Sequence, residues 1–175
     1  MPRISYVEPQ NASAEVQQLY EHRLGGRPGN AHKIMAHQPK ALTAFLAFYV
    51  TAGRSLDRKL YELVYIRVSM LNQCHYCLQH HLASSKRIGV TPEDWQALKS
   101  GDFTRFTDAE RDALKFAEKL TKTPWEIIPA DIETLKRHFS EAQIVDLDLL
   151  VGLANLTNRF TDPLGAELET APEKI

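Results

Sequence analysis

The chain has 175 residues, of which 43% are hydrophobic, and its formal net charge is −1. A chain of this length can bury a substantial apolar core, and it is predicted to form one domain over residues 1–175. The near-neutral charge argues against a nucleic-acid partner and against an anionic membrane surface. Every apolar stretch is shorter than the roughly 18 residues of a membrane-spanning helix. Because the opening segment MPRISYVEPQ lacks a secretory pattern, we expect a cytoplasmic protein.

Helix start and stop signals recur along the whole chain, and no alternating strand pattern is present, so an all-α fold is predicted. Residues 1–12 contain two prolines and are predicted to form an extended N-terminal arm. The predicted helices share a capping residue or proline at the start and a glycine, proline or turn at the end: 14–24, 30–37, 39–52, 56 or 58 to 71, 74–88, 92–100, 108–122, 129–139 and 141–160, with Pro163 stopping the last.

The most informative stretch is ELVYIRVSMLNQCHYCLQHH, residues 62–81, which contains the only two cysteines of the chain. Cys74 and Cys77 form a C-x-x-C, and His81 follows the second cysteine by four residues. If Cys74 opens a helix, Cys77 lies about 60° round the axis from it and His81 falls between them, while His80 lies a further ~60° beyond Cys77. One helical face therefore carries both thiols and a single imidazole.

Glu62 lies within an apolar helical run twelve residues before the first cysteine. On one unbroken helix it would be about 18 Å from Cys74, too far to act on a thiol. A turn at Asn72-Gln73 would instead fold the second helix back and bring Glu62 level with His81. We therefore predict a helical hairpin in which Glu62 contacts His81 directly or through one water, and in which His81 approaches Cys77. This order forms a proton relay.

These residue types suit thiol redox chemistry. A thiolate, rather than a thiol, attacks a peroxide oxygen or an oxidised sulfur, and both a helix N-terminus and a nearby imidazole favour the thiolate. A second cysteine resolves the first oxidation product into a disulfide. In a reducing compartment, a lone C-x-x-C is more often catalytic, redox-sensing or metal-binding than a structural disulfide.

The pattern of Glu62, Cys74-x-x-Cys77 and His81 resembles the AhpD-like branch of the carboxymuconolactone decarboxylase superfamily. The likeness covers most of the chain and includes three further segments: 26–39, 89–91 and 139–144. The resemblance implies an all-helical fold in a homo-oligomer, a trimer or hexamer, and thiol-dependent peroxidase or disulfide reductase activity of an antioxidant type. It also implies a hydroperoxide substrate and a dithiol or lipoyl-type electron donor, without a bound cofactor or metal.

By this resemblance, Cys77 would attack the hydroperoxide, Cys74 would resolve it, and Glu62 with His81 would form the relay. The founding AhpD proteins carry a histidine directly before the second cysteine, where this chain has Tyr76. The decarboxylases of the superfamily lack the cysteine pair, so decarboxylation is disfavoured here.

Two other classes of function stay open at this point. The C-x-x-C, the histidine and the glutamate could hold zinc, although the sequence offers no second ligand pair. The cysteines could also sense oxidation without turnover. Glu62 could simply pair with Arg58 or Lys59 on its own helix. Elsewhere, Trp95 and Trp125 are predicted to be packing residues. The polar residues Asn155, Asn158 and Arg159 could line a pocket or an interface, but they are assigned to helix-end hydrogen bonding.

Overall fold

The computed structural model describes residues 2–169, and within them the chain is all α-helical, as predicted. No strand occurs in this range. Nor does any helix in it combine the length and the apolar character needed to cross a membrane. The elements of this range follow one another as a 3₁₀ turn Pro9–Asn11, α1 Ala14–Leu24, α2 Asn30–Met35, α3 Pro39–Tyr49, α4 Arg58–Leu71, α5 His75–Arg87, α6 Pro92–Ser100, α7 Asp108–Lys122, a 3₁₀ turn Pro124–Glu126, α8 Pro129–Lys136 and α9 Glu141–Leu164.

Side-chain caps account for most of the observed helix starts. Asp57 caps α4 by accepting hydrogen bonds from the backbone N–H groups of Lys59 and Leu60. The helices α6, α7 and α9 each begin with a reciprocal capping box, opened by Thr91, Thr107 and Ser140. These side chains satisfy N–H groups that have no partner inside the helix, which is why the sequence locates these starts well.

The helix ends differ more from prediction. Helix α9 continues through Pro163 to Leu164 instead of stopping near Phe160, whereas α2, α3 and α8 end a few residues early. The backbone N–H of Arg3 donates to the carbonyl of Leu164 at 3.0 Å, and its guanidinium donates to the carbonyl of Pro163 at 2.7 Å. The N-terminal arm therefore supplies donors to the last turn of α9, where a proline costs only one intrahelical bond.

Helix α4 lies at the centre of the fold and packs against α5, α6, α7 and α9. Most of its length is buried, including its aliphatic residues: Leu60, Leu63, Val64, Ile66 and Val68. Fully burying one such side chain contributes roughly 1.5–3 kcal/mol. Helices α1 and α3 contribute a separate, smaller apolar cluster beside this core. The helix that carries Glu62 is therefore the one around which the other core helices pack.

The two tryptophans have different environments. Trp95 is buried, as predicted, and its indole N–H donates to the hydroxyl of Ser85 at 3.3 Å. Trp125 lies in the second 3₁₀ turn and is 77% exposed, so its assignment as a packing residue was wrong. The turn between α7 and α8 holds it outside the core.

Candidate functional site

The hairpin between α4 and α5 turns at Asn72-Gln73, as predicted. Gln73 adopts a left-handed conformation with φ of 56°, which is uncommon for a residue with a side chain. Cys74 then caps α5, and its sulfur accepts a hydrogen bond from the backbone N–H of Cys77 at 3.3 Å. The amide of Asn72 donates to the side-chain oxygen of Asn158 at 2.9 Å, which fastens the turn to α9.

The fold brings Glu62 and His81 into direct contact. The Oε2 atom of Glu62 lies 2.7 Å from Nδ1 of His81, and the two side chains are 12% and 9% exposed. The imidazole stacks on the ring of Tyr65 at 3.9 Å between centroids, and the Tyr65 hydroxyl lies 2.5 Å from Oγ1 of Thr157. The described part of the chain has no ion pair between Glu62 and Arg58. With Nδ1 held by the carboxylate, Nε2 is the ring nitrogen left for proton exchange.

Both cysteines are buried and reduced, but their thiols are not equivalent. The pKa of Cys77 is lowered to about 6, and the largest cause is a hydrogen bond from the Cys74 thiol, which opposes the raising effect of burial. Hydrogen bonds from Asn158 and Thr161 and the charge of His81 also contribute to this lowering. The same hydrogen bond to Cys77, together with burial, raises the pKa of Cys74. At neutral pH the pair therefore carries one thiolate, at Cys77.

Helix α9 contributes contacts to the cysteines that sequence reasoning missed. The hydroxyl oxygen of Thr161 lies 3.2 Å from Sγ of Cys74 and 3.8 Å from Sγ of Cys77. Asn158 is buried in the middle of α9, where its amide donates to the Ser69 hydroxyl at 3.1 Å, so its assignment to helix-end bonding was wrong. Polar residues on a buried face of an apolar helix were the available signal.

A cavity of about 320 Å³ opens beside Cys77 and lies between α1, α3, α5 and α9. Its walls are largely apolar and include Phe45, Tyr49 and Phe160. Cys77 and His81 line the cavity, whereas Cys74 lies behind them. A small molecule entering it therefore meets the thiolate before the second cysteine.

The sequence positions named as possible zinc ligands do not form a metal centre. Across residues 2–169, no three histidine, cysteine, aspartate or glutamate side chains converge as a metal site would require. The Glu62 carboxylate instead faces a ring nitrogen of His81, and the two sulfurs interact with each other and with Thr161. The donor set fits proton transfer better than tetrahedral zinc coordination.

The lowered pKa of Cys77 makes a direct prediction for its pH profile. Alkylation of Cys77 by iodoacetamide should rise with a midpoint near pH 6, because the thiolate is the reactive form. Thr161→Val should move the midpoint upward, since a thiolate hydrogen bond is lost, whereas Thr161→Ser should keep it. Peptide mass spectrometry at Cys77 measures both. A wild-type midpoint near the roughly 8.5 of a free thiol would contradict the prediction.

The arrangement defines a class of protein: an all-helical thiol protein with a C-x-x-C at the start of one helix and a carboxylate–imidazole pair beside it. The model of the carboxymuconolactone decarboxylase family matches residues 39–119. The uncharacterised protein YdfG of Bacillus subtilis is 30% identical over 117 residues, which cover 66% of this chain and 80% of YdfG. The chain belongs to the carboxymuconolactone decarboxylase family.

Solved structures share the fold over almost the whole chain. A peroxidase-related protein of Ralstonia eutropha, described as an alkylhydroperoxidase AhpD core, aligns with a TM-score of 0.83 at 22% identity and covers 98% of both chains. The debrominase Bmp8, solved in complex with 2,3,4-tribromopyrrole, aligns with a TM-score of 0.76 at 20% identity, over 97% of this chain and 92% of its own. At these identities the likeness establishes the fold alone.

Proposed function

We propose that this protein is a thiol-dependent peroxidase that reduces hydroperoxides through Cys77 and Cys74, with Glu62 and His81 as a proton relay. One observation carries the proposal: of the two cysteines, the one that lines the cavity is also the one whose pKa is lowered. Burial alone would have the opposite effect on its pKa. The direct contact between Glu62 and His81 supports the relay.

In the first step, the Cys77 thiolate attacks the terminal oxygen of the hydroperoxide. An S–O bond forms, the O–O bond breaks, and the alcohol leaves after taking up a proton. In the second step, Cys74 loses its proton and attacks the sulfur of the Cys77 sulfenic acid, which releases water and leaves a disulfide. A dithiol or lipoyl-type donor then returns both thiols by exchange. One hydroperoxide thus consumes two thiol equivalents.

The test is stoichiometric. One equivalent of cumene hydroperoxide should yield one alcohol and one intramolecular disulfide, with no titratable thiol left, and added dihydrolipoate should sustain turnover. Two persisting thiols would reject the proposal. A disulfide without turnover would make the pair an oxidation sensor, and stoichiometric zinc in the purified protein would favour a metal module. Turnover of 2,3,4-tribromopyrrole but of no hydroperoxide would point to the activity named for Bmp8.

We also propose that the protein assembles with further copies of itself through α9. Three exposed apolar residues, Val145, Leu149 and Leu156, lie on one side of this helix, and Gly152 between them has open space in front of it. Their spacing of four, then seven residues keeps them on one helical stripe, which suits packing against an equivalent helix. The neighbouring groove between α3 and α9 is also largely apolar.

Light scattering should therefore give a mass above that of one chain at micromolar concentration. Replacing Leu149 and Leu156 by glutamate should shift the protein toward the monomer, because each change places a charge in an apolar interface. Trp125→Glu is the matched control, since this side chain is exposed but lies on a different element. A wild-type monomer, or an equal response to all changes, would count against assembly through α9.

A further inference from the structure

Two carboxylate–imidazole pairs, rather than one, lie beside Cys77. Besides Glu62 and His81, the Nε2 atom of His80 lies 3.0 Å from Oε2 of Glu169. His80 follows Cys77 by three residues on α5 and lines the same cavity as His81. Its side chain is 46% exposed, so this second pair lies at the open side of the cavity, whereas the first is buried.

Glu169 is held firmly although it lies beyond α9. Its Oε1 atom accepts hydrogen bonds from the backbone N–H of Asn30 at 2.5 Å and from the Tyr76 hydroxyl at 2.9 Å. A Cβ atom on Gly29 would come within 3.1 Å of the same oxygen, so the glycine leaves room for this approach. Burial raises the pKa of Glu169, but hydrogen bonds from His80, Asn30 and Tyr76 together hold it at about 2. The carboxylate facing His80 is therefore ionised at neutral pH.

Peroxide cleavage also needs a proton donor for the oxygen that leaves when the O–O bond breaks. Attack by the thiolate sends the electron pair of the O–O bond onto the leaving oxygen, and an alkoxide is a poor leaving group unless it is protonated. A positioned general acid accelerates such a step by roughly 10²–10⁴-fold. His81 is enclosed by Glu62 and Tyr65, on the buried side of the thiolate. His80 lines the same cavity and is far more exposed than His81, so it lies on the side from which a hydroperoxide would enter.

We propose that His80, positioned by Glu169, is the general acid that protonates the leaving oxygen of the hydroperoxide. This inference rests on the proposed peroxidase function. The S–O bond to Cys77 forms, the O–O bond breaks, and the proton of the His80 imidazolium passes to the departing oxygen to give the alcohol. The imidazole then takes a proton from solvent, which its exposed position permits. The contact with Glu169 holds the ring in position beside the cavity.

The decisive experiment varies the leaving group. In His80→Ala, the single-turnover oxidation of Cys77 by tert-butyl hydroperoxide should fall by about 10²-fold. Oxidation by peracetic acid should fall by less than about threefold, since acetate leaves without a proton. Imidazole buffer should restore part of the tert-butyl hydroperoxide rate in this variant, because the site is open to solvent. Glu169→Gln should show a smaller loss with the same selectivity.

Controls separate this role from others. His75→Ala removes an exposed histidine from the same helix and should change neither oxidation rate. Alkylation of Cys77 by iodoacetamide should be unchanged in His80→Ala, because no oxygen leaves. Equal losses with both oxidants would mean that the contact between His80 and Glu169 has a structural role only. Wild-type rates with both oxidants would show that His80 takes no part in the mechanism. If the wild type reacts with neither oxidant, the proposed function itself fails.

Discussion

Replacing Cys77 by serine should abolish hydroperoxide reduction, with a loss of roughly 10⁴-fold or more, as is usual when a nucleophile is removed. The hydroxyl of serine does not ionise at neutral pH, and Cys74 lies behind the cavity wall with a raised pKa. Neither group can take over the attack. Stopped-flow measurement of alcohol release with cumene hydroperoxide gives the loss directly.

Cys74→Ser is the matched control for this change. The first oxidation should proceed once per chain and leave a sulfenic acid on Cys77 that dimedone traps, but no turnover should follow because no resolving thiol remains. The serine hydroxyl can still donate a hydrogen bond to the Cys77 sulfur, so the pKa of Cys77 should stay low and the first step should keep its pH dependence. If Cys77→Ser still reacted while Cys74→Ser did not, the two roles would be reversed.

Glu62→Gln should slow the thiol reaction at neutral pH by about 10²-fold, at the low end of the range for general acid–base catalysis. Glutamine keeps the shape and can still bond to Nδ1 of His81, but it carries no charge and cannot accept a proton. The rate of disulfide formation should recover in part as pH rises, since hydroxide can then take the Cys74 proton in place of the relay. Single-turnover oxidation measured from pH 5 to about 9 follows this recovery.

A double-variant cycle makes the relay prediction stricter. If Glu62 and His81 act as one unit, the variant with both Glu62→Gln and His81→Asn should be no slower than the worse single variant. Additive losses would mean that the two side chains act separately. A wild-type rate in Glu62→Gln at every pH would show that neither step of the thiol reaction needs the relay.

The sequence was sufficient for the hairpin because each signal there is local. The turn at Asn72-Gln73, the C-x-x-C at a helix start and the rise of the helix together place Glu62 opposite His81 by arithmetic alone. The contact between Glu62 and His81 follows from chain geometry once the turn is assigned.

The contributions of α9 and Glu169 could not be predicted in this way. Thr161 meets Cys74 across 87 residues of chain, and Glu169 meets Tyr76 across 93. A threonine or asparagine in a helix is as consistent with a cap or a surface position as with a contact to sulfur. Only the packing of α9 on α5 decides between these, and local sequence carries no record of it. The same holds for the extension of α9 past Pro163, which depends on donors from the N-terminal arm.

The capping position of Cys74 has a consequence for reduction potential. Its sulfur accepts the Cys77 N–H at the start of α5, beside a thiolate that the helix dipole favours. Disulfide formation removes the negative charge of the thiolate and joins the capping sulfur of Cys74 covalently to Cys77, which weakens the capping hydrogen bond. The capping hydrogen bond to Cys74 contributes at most about 2 kcal/mol to helix stability. Whatever part of it is lost on oxidation stabilises the dithiol form relative to the disulfide. For a two-electron couple this raises the reduction potential by up to about 40 mV, which makes the disulfide easier for a dithiol donor to reduce.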